Sequence, residues 1–436
     1  MPVHRATAKV RDAMSEQEAE VPAGLRGLGR AGWNLADQVL SALTNFALSL
    51  IVARNVSAEA FGQFSVAFLV FSLMIGVQRA LVGLPLNIRF SKATGSSRVD
   101  VAHRALAAVL WITLPISAAL LVFSAFLPDN ARAPWLALAI LLPFLITQDI
   151  CRMMFLAWGK PQLATLNDAI WAVAQFGLIA LLLSRQVVSA ASMIAAWGIA
   201  AGVAAAVGLV QLRALPRFRS GLDWLKSTWG QSKYLLSNYV LDVGTFQGGI
   251  LLFGFYLGVS DIGAIRAAQV LTGPLAVVAV AASTFAIPEI SRRGLPPRPM
   301  AVAGVLSAIM VTVSLLYVTV LLLVPSDVGT QLLGDTWTGA RTVLLPVAMT
   351  AVVSAAKLGP TVLVFGLGHT DRTTRLILTL AISGVAFMLV GAVTFGVLGL
   401  AWGMCAAQAV VVPLWFLEAR RSAALGPVDF GDSASK

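Results

Sequence analysis

The sequence predicts an all-α polytopic membrane protein. We expect about twelve transmembrane helices in two six-helix lobes, which a parallel repeat arranges around a central cavity. Three observations predict this fold. Hydrophobic residues make up 58% of the 436-residue chain and charged residues only 12%, whereas an ordinary soluble domain is about one quarter charged. Apolar stretches of roughly 20 residues, the length that crosses a bilayer, recur along the chain. The spacing of polar residues in the first apolar stretch recurs in the seventh, near the middle of the chain.

Twelve apolar stretches have the length and composition of membrane-spanning helices. Glycine and proline lie inside several of them, for example at Gly273 and Pro274. Membrane helices tolerate these residues, which permit kinks and close packing. The predicted spans are 34–53, 61–78, 105–127, 134–151, 163–184, 190–211, 235–258, 264–287, 301–324, 341–366, 374–394 and 396–417.

The distribution of Lys and Arg predicts the orientation. Most of the 31 basic residues lie in the N-terminal tail and in every second connection, and such residues are enriched on the cytoplasmic side. The opposite connections hold only Arg54, Arg132, Arg185, Arg266 and Arg341. We expect a bacterial-type cytoplasmic (inner) membrane protein with both termini in the cytoplasm. Basic loops account for the net charge of +11, so no nucleic acid partner is predicted.

Polar segments divide the chain into five parts. Residues 1–30 lack an apolar core, so we expect a flexible cytoplasmic tail and not a cleavable signal peptide. Residues 31–211 form the predicted N-terminal six-helix lobe, and residues 235–420 form the C-terminal one. A cytoplasmic linker at 212–234 joins the lobes, and a second cytoplasmic tail covers 421–436.

The first span carries a polar stripe. Residues three or four positions apart share a helix face, and the polar ones here are Asn34, Asp37, Gln38, Ser41, Asn45 and Ser49. Lipid would leave these side chains unpaired, so the stripe should face protein or a wet cavity. Asp37, Gln38 and Asn45 are therefore candidate substrate or ion contacts. The alternative for Asp37 is a charge at the helix start, which the helix dipole favours.

The seventh span repeats this arrangement. The residues that share its polar face are Asn238, Asp242, Thr245 and Gly249. Asp242 has the same two interpretations as Asp37. A Val-Ser pair with a glycine close behind it follows each of the two spans, in VSAEAFGQFSVA (56–67) and VSDIGAIRAAQV (259–270). Because six spans separate the copies, both halves have one orientation and form a parallel repeat.

Ionisable residues inside spans are functional candidates, because charge at mid-bilayer is costly. Arg266 begins the eighth span, and its guanidinium matches phosphate oxygens with forked hydrogen bonds. A snorkelling interfacial arginine is the alternative. Lys357 lies within the tenth span, where we expect it to contact the cavity or pair with an inward-facing acid. Arg79, near the inner end of the second span, is interpreted as a cytoplasmic-side anchor.

Two further spans carry acids. Asp149 and Arg152 lie three residues apart and are expected to form an intrahelical pair near the cytoplasmic end. In the fifth span Asp168, Trp171 and Gln175 share one face, so Asp168 is a cavity candidate. For Trp171 we expect packing and not the stacking of a sugar.

Enzymatic and metal chemistry are not predicted. Cys151 and Cys405 lie far apart in the sequence and form no metal motif, and three histidines make zinc chemistry unexpected. The sequence contains no GxSxG, HExxH or Walker-type motif. We therefore predict no cofactor and no enzyme activity.

The first span and the turn after it resemble a known family. The run LADQVLSALTNFALSLIVARNVSAEAFGQFSVAFLV (35–70) is similar to the opening of polysaccharide (oligosaccharide-lipid) flippase-like proteins. These belong to the multidrug/oligosaccharidyl-lipid/polysaccharide exporter superfamily. In that family the first helix ends in a basic residue, and a turn with an acid and a Phe-Gly pair follows, as do Arg54, Glu59, Phe61 and Gly62 here.

The resemblance covers about residues 30–420. In the second half it rests on LGVSDIGAIRAAQVLTGPL, IPEISR and LLGDTWTGARTVLLP. It implies a two-lobed bundle and alternating access driven by protons, sodium or the membrane potential. Lipid II flippases in this superfamily have fourteen spans, so twelve spans fit the polysaccharide branch better.

Three functions compete at this point. The first is a flippase that moves a polyprenyl-linked oligosaccharide or related cell-envelope precursor. Its partners would be that lipid-linked oligosaccharide, membrane lipids and polysaccharide-assembly proteins. The second is a small-molecule exporter of the multidrug type, which an acid-rich cavity would favour. The third is a membrane-embedded polysaccharide polymerase or ligase, against which the short outer loops argue.

Overall fold

The computed structural model describes residues 23–369 and 372–427, and it contains no strand within these ranges. The helices, numbered in chain order, are α1 (Ala23–Asn55), α2 (Ala58–Arg89), α3 (Gly95–Ala125), α4 (Asp129–Ala157), α5 (Pro161–Ser184), α6 (Ala190–Leu212), α7 (Phe218–Leu257), α8 (Val259–Arg293), α9 (Pro299–Leu322), α10 (Ser326–Leu333), α11 (Thr336–Gly366) and α12 (Thr373–Leu425).

All of these described helices except the short α10 are long and apolar enough to cross a membrane, which makes 11. The last of them contains two spans, because α12 bends at Gly396, where φ is 64° and ψ is −144°. Glycine adopts this positive φ without a steric penalty. The two halves of α12 pack together where Gly391 meets Gly399. The described chain thus holds the twelve predicted spans, and the predicted fold class is confirmed.

Several helices extend beyond the apolar stretches that predicted them. The polar segment 212–234, predicted as a linker, is largely helical, because α7 begins at Phe218 and continues into the seventh span. This first part of α7 packs on the first lobe. Gly221 lies against α3, and Trp224 is buried beside Phe90, with ring centroids 5.0 Å apart. Burial of one apolar face explains why a polar segment forms a helix here.

The predicted tails lie partly outside the described residues. Residues 1–22 and 428–436 are outside them, so the predicted flexibility of those segments is not addressed. Residues 23–30 belong to α1, and residues 421–425 belong to the end of α12. Because α1 begins several turns before Asp37, that carboxylate does not lie at a helix start.

Two π-helical turns interrupt α2 and α7, at Arg79–Gly83 and Val240–Gly244. Such turns occur frequently at functional sites. The first turn begins at Arg79 and the second contains Asp242, which is exposed. Asp242 therefore also lies inside a helix and not at its start.

The first six spans pack into one lobe around an aromatic core. Trp197 of α6 is fully buried. Its indole packs against Phe64, Phe68 and Phe71 of α2, with ring centroids 4.7 to 6.1 Å apart. Aromatic side chains bury a large area each, so this cluster holds α2 against α6. The last six spans form the second lobe.

The lobes touch at the ends of the spans that the basic residues predict to face away from the cytoplasm, which we call the outer ends. A Cβ atom added to Gly263 of α8 would lie 3.0 Å from the backbone of Gly62 in α2, and Gly62 also abuts the carbonyl of Val259. Thr336 Oγ1 donates to the carbonyl of Ala53 at 3.4 Å. The two glycines follow the Val-Ser pairs of the repeat, so the repeat brings its own copies together and closes the outer ends.

Candidate functional site

A pocket of about 550 Å³ lies between the lobes, where α1 of the first lobe faces α8 of the second. Its walls are mainly aliphatic, from residues such as Val39, Leu43 and Val277. The charged or amide side chains in its lining are those of Asn45, Arg266 and Gln269. The volume falls in the range of ordinary ligand pockets. The polar stripe therefore contributes one of its members, Asn45, to this space.

Arg266 is the cation of this pocket. Its guanidinium carbon lies 3.9 Å from the centroid of the Phe68 ring, in a cation–π contact between the lobes. Its Nε atom is buried and has no hydrogen-bond partner. Among the described residues, no carboxylate forms an ion pair with it. Arg266 is therefore a cation fixed by an aromatic ring, with its buried Nε donor unpaired, which is unlike an interfacial arginine that reaches water.

A buried charge cluster lies beside the pocket inside the first lobe. Arg152 of α4 bridges two acids. Its Nη2 donates to Asp37 Oδ2 of α1, and its Nε lies 3.1 Å from Asp168 Oδ2 of α5. Asp37 is 1% exposed and Asp168 is 5% exposed. Both candidate acids are thus brought together and paired, and neither is a free carboxylate in the inter-lobe pocket.

The second half of the cluster corrects two expectations. Arg79 of α2 holds Asp149 of α4 with two hydrogen bonds, Nε to Oδ2 at 3.0 Å and Nη2 to Oδ1 at 2.6 Å. Arg79 is therefore not a simple cytoplasmic-side anchor. The predicted intrahelical pair is weak, because Arg152 Nη1 lies 3.9 Å from Asp149. A forked guanidinium–carboxylate pair is the stronger geometry, so Asp149 pairs between helices.

Polar side chains extend the cluster into α5. Gln148 donates to Asn167 at 3.0 Å and to Asp168 at 2.9 Å. Trp171 Nε1 donates to the carbonyl of Trp197 at 3.2 Å, which agrees with a packing role. A cavity of about 10 Å³, close to the space that one water needs, adjoins the cluster and is lined by Ser41, Thr44, Asn45, Asp168, Trp171 and Gln175.

The candidate residues of the second lobe lie apart from this cluster. Lys357 lies at the break in α11, where the helical segment Thr336–Ala356 ends. Its Nζ donates to Gln408 Oε1 of α12 at 2.8 Å. No described carboxylate lies within 4.0 Å of Nζ, although Asp242 is close enough to interact with this ammonium electrostatically. Of the two alternatives, cavity contact and pairing with an acid, a direct ion pair is therefore not formed. In the first lobe, Gln38 is exposed, whereas its neighbour Asp37 is buried.

Several charged or amide residues of the cluster are not among the site candidates that the sequence indicates, including Arg79, Gln148, Asp149 and Arg152. A signal existed, because Arg152 lies in an apolar stretch, where charge is costly and needs a partner. Its nearest acid in sequence, Asp149, offered a local partner that the fold does not use. Residues on three other helices decide the pairing, and no local pattern identifies them.

Comparison with known proteins adds the identity of the fold. No protein-family model matches this chain, and no curated protein matches its sequence significantly. Among solved structures, the lipid II flippase MurJ in an inward closed conformation has a TM-score of 0.67 and 12% identity, over 89% of this chain and 87% of that one. An inward-facing multidrug resistance MATE transporter of the MOP superfamily has a TM-score of 0.59 and 14% identity, over 91% and 95% of the chains.

A eukaryotic MATE transporter, AtDTX14, has a TM-score of 0.58 and 16% identity, over 92% of this chain and 99% of that one. The chain therefore shares the fold of these transporters over nearly its whole length. This confirms, at the level of the fold, the resemblance seen in the sequence. The protein is a multi-pass membrane protein.

Proposed function

We propose that this protein is a membrane transporter that flips or exports a lipid-linked precursor with an anionic headgroup, such as a polyprenyl-linked oligosaccharide, by alternating access. One observation carries the proposal. Arg266 is held against Phe68 at the inter-lobe pocket with no described carboxylate partner. Guanidinium donors match phosphate and diphosphate oxygens. The similar structures, a lipid II flippase and multidrug transporters, support a transport function on this fold.

The pocket suits a substrate that is half lipid. Aliphatic residues such as Val39 and Leu43 form most of its lining, and Asn45, Arg266 and Gln269 supply polar atoms. A polyprenyl chain would lie against the apolar wall and the surrounding bilayer, while the diphosphate meets Arg266. The charged headgroup then crosses without entering bare hydrocarbon, which avoids a large desolvation cost.

A multidrug-type exporter is the second candidate, and the charges argue against a cationic drug. A cation needs an unpaired carboxylate, but Asp37 and Asp168 are both engaged by Arg152. The pocket itself holds a cation, Arg266. Two of the acids that favoured an exporter in the sequence, Asp37 and Asp168, are thus engaged by Arg152. The third, Asp242, is exposed and does not line this pocket, so an anionic substrate is the better match.

The energy source forms part of the proposal. Three buried carboxylates, those of Asp37, Asp149 and Asp168, face two guanidiniums, those of Arg79 and Arg152. One carboxylate is left without its own counter-charge, so the cluster has room for one proton. Of the three candidate sources, namely protons, sodium and the membrane potential, we favour protons. No cofactor is invoked.

The remaining parts of the proposal follow from the sequence. The basic residues favour the inner membrane, with both termini in the cytoplasm. A lipid-linked oligosaccharide would bring polysaccharide-assembly proteins as partners. A polymerase or ligase is disfavoured, because the described outer connections are short and Asp37, Asp149 and Asp168 lie buried in a cluster with two arginines.

A flipping assay tests the proposal. The protein is reconstituted in vesicles with a fluorescent polyprenyl-diphosphate sugar, and a membrane-impermeant reductant bleaches the probe that reaches the outer leaflet. Loss of a charge-assisted contact is worth about 1.5–3 kcal/mol. We therefore expect Arg266→Gln to slow flipping by about tenfold to a hundredfold. Arg266→Lys keeps the charge without the fork and should fall between.

Arg132→Gln, at an exposed outer position, is the matched control and should flip at the wild-type rate. Thermal unfolding of each variant separates a lost contact from a lost fold. Wild-type flipping by a folded Arg266→Gln variant would refute the proposal. Efflux of a cationic dye without any flipping would favour the exporter instead.

A further inference from the structure

A second groove lies at the outer end of the first lobe, away from the inter-lobe pocket. It has a volume of about 420 Å³ and runs between the last turns of α1 and α5. Its apolar wall includes Leu50, Phe176, Ile179 and Leu183. Arg54 is the charged residue that lines it. The groove therefore combines an apolar channel with one cation.

Arg54 has no ion-pair partner within the described chain. It lies in the last turn of α1, and its side chain is exposed. The neighbouring Asn55 uses its Nδ2 to donate to the carbonyl of Ile51 at 2.8 Å. The amide is thus turned back onto its own helix, and Arg54 remains the free donor at the mouth of the groove.

The depth of these groups matches the layers of a lipid. Leu50 lies four residues before Arg54, which is about 6 Å deeper along the helix axis. Arg54 directly follows the first predicted span, 34–53, so the predicted topology places its guanidinium at the level of the headgroups and the apolar wall at the level of the acyl chains. An arginine fork suits a phosphate at that level.

The second lobe covers one side of this groove. Leu332 of α10 lines it. The turn after α10 is fitted tightly onto α1, because a Cβ atom at Gly334 would lie 2.9 Å from the carbonyl oxygen of Arg54. A molecule in the groove would touch both lobes while the outer ends are closed. Occupancy would then stabilise this closed arrangement.

We propose that this groove binds one anionic phospholipid of the surrounding leaflet, with its phosphate on Arg54 and an acyl chain along Leu50 and Phe176. This site is separate from the pocket at Arg266. It does not depend on which substrate the protein transports. The ligand is a lipid of the surrounding membrane and not a cargo.

Native mass spectrometry of the purified full-length protein tests the proposal. The protein is titrated in detergent with phosphatidylglycerol or with phosphatidylcholine, and bound lipids are counted. We expect wild-type protein to retain one phosphatidylglycerol preferentially. Arg54→Gln should weaken that binding about tenfold and abolish the preference. Ala180→Trp, which fills the exposed apolar wall, should remove the lipid while leaving Arg54 in place.

The controls separate a built site from general surface charge. Arg132→Gln removes a different outer arginine and should bind as the wild type does. An excess of inorganic phosphate should not displace the lipid, because the acyl chain supplies part of the affinity. Unchanged binding in Arg54→Gln, equal loss in Arg132→Gln, or displacement by inorganic phosphate would each overturn the proposal.

Discussion

Adding one methyl group at Gly62 should open the contact between the lobes. A Cβ atom there would lie 2.2 Å from the carbonyl oxygen of Val259 and 2.7 Å from its carbonyl carbon. Both are backbone atoms at the start of α8, so no side chain can rotate away. Ordinary van der Waals contact begins at 3.4 Å, and the lobes must therefore separate by about 1 Å or store strain.

The size of the effect follows from overpacking. Forcing an extra carbon into a packed contact costs about 1–3 kcal/mol. If separation of the outer ends relieves this strain, the closed state should be depopulated by about 5- to 150-fold. Gly263→Ala should have a smaller effect, because its Cβ would lie 3.0 Å from the Gly62 backbone. Gly304→Ala should have none, since nothing lies within 4 Å of that position.

Electron paramagnetic resonance distance measurements can read this out. One spin label at Glu59 and one at Asp327 would report on the two lobes, and both positions are exposed. The native cysteines, Cys151 and Cys405, are buried and should not react. We expect Gly62→Ala to shift the distribution towards longer distances, with Gly263→Ala in between. A Gly62→Ala distribution identical to that of Gly304→Ala would refute the reasoning.

Two further outcomes are expected. Arg152→Met leaves Asp37 and Asp168 buried without a counter-charge. The free energy of unfolding measured in detergent should therefore fall by about 3–5 kcal/mol. Adding Asp37→Asn and Asp168→Asn to this variant should restore most of the lost stability. If Arg152→Met lowers the free energy of unfolding no more than Arg132→Met does, the ion-pair assignment is contradicted. Lys357→Met removes the charge-assisted hydrogen bond from Nζ to Gln408 Oε1, which joins α11 to α12. If this candidate site residue takes part in transport, flipping should slow about tenfold. Lys226→Met, at an exposed position, is its control, and equal rates would argue against a role for Lys357.

The spans and their orientation were predictable because each depends on local composition. A stretch of about 20 apolar residues crosses a bilayer wherever it occurs in a chain. The division of α12 into two spans was also predictable, as separate stretches at 374–394 and 396–417, and the bend between them lies at Gly396. The helical form of 212–234 was not predicted, because its apolar face is visible only when α3 lies against it.

Two acids of the buried cluster were predictable as site candidates, but the arginine that pairs with both of them was not. Asp37 and Asp168 were identified because a charge in an apolar stretch needs a reason to be there. For their shared partner, Arg152, the sequence predicts a pair with its neighbour Asp149, but Arg79 holds Asp149 instead. The sequence alone determined which charges lie within the membrane-spanning stretches, because those stretches follow from the apolar residues around each charge. Only the tertiary structure decided their partners, since ion pairs form between atoms that helix packing brings within 4 Å, at any separation along the chain.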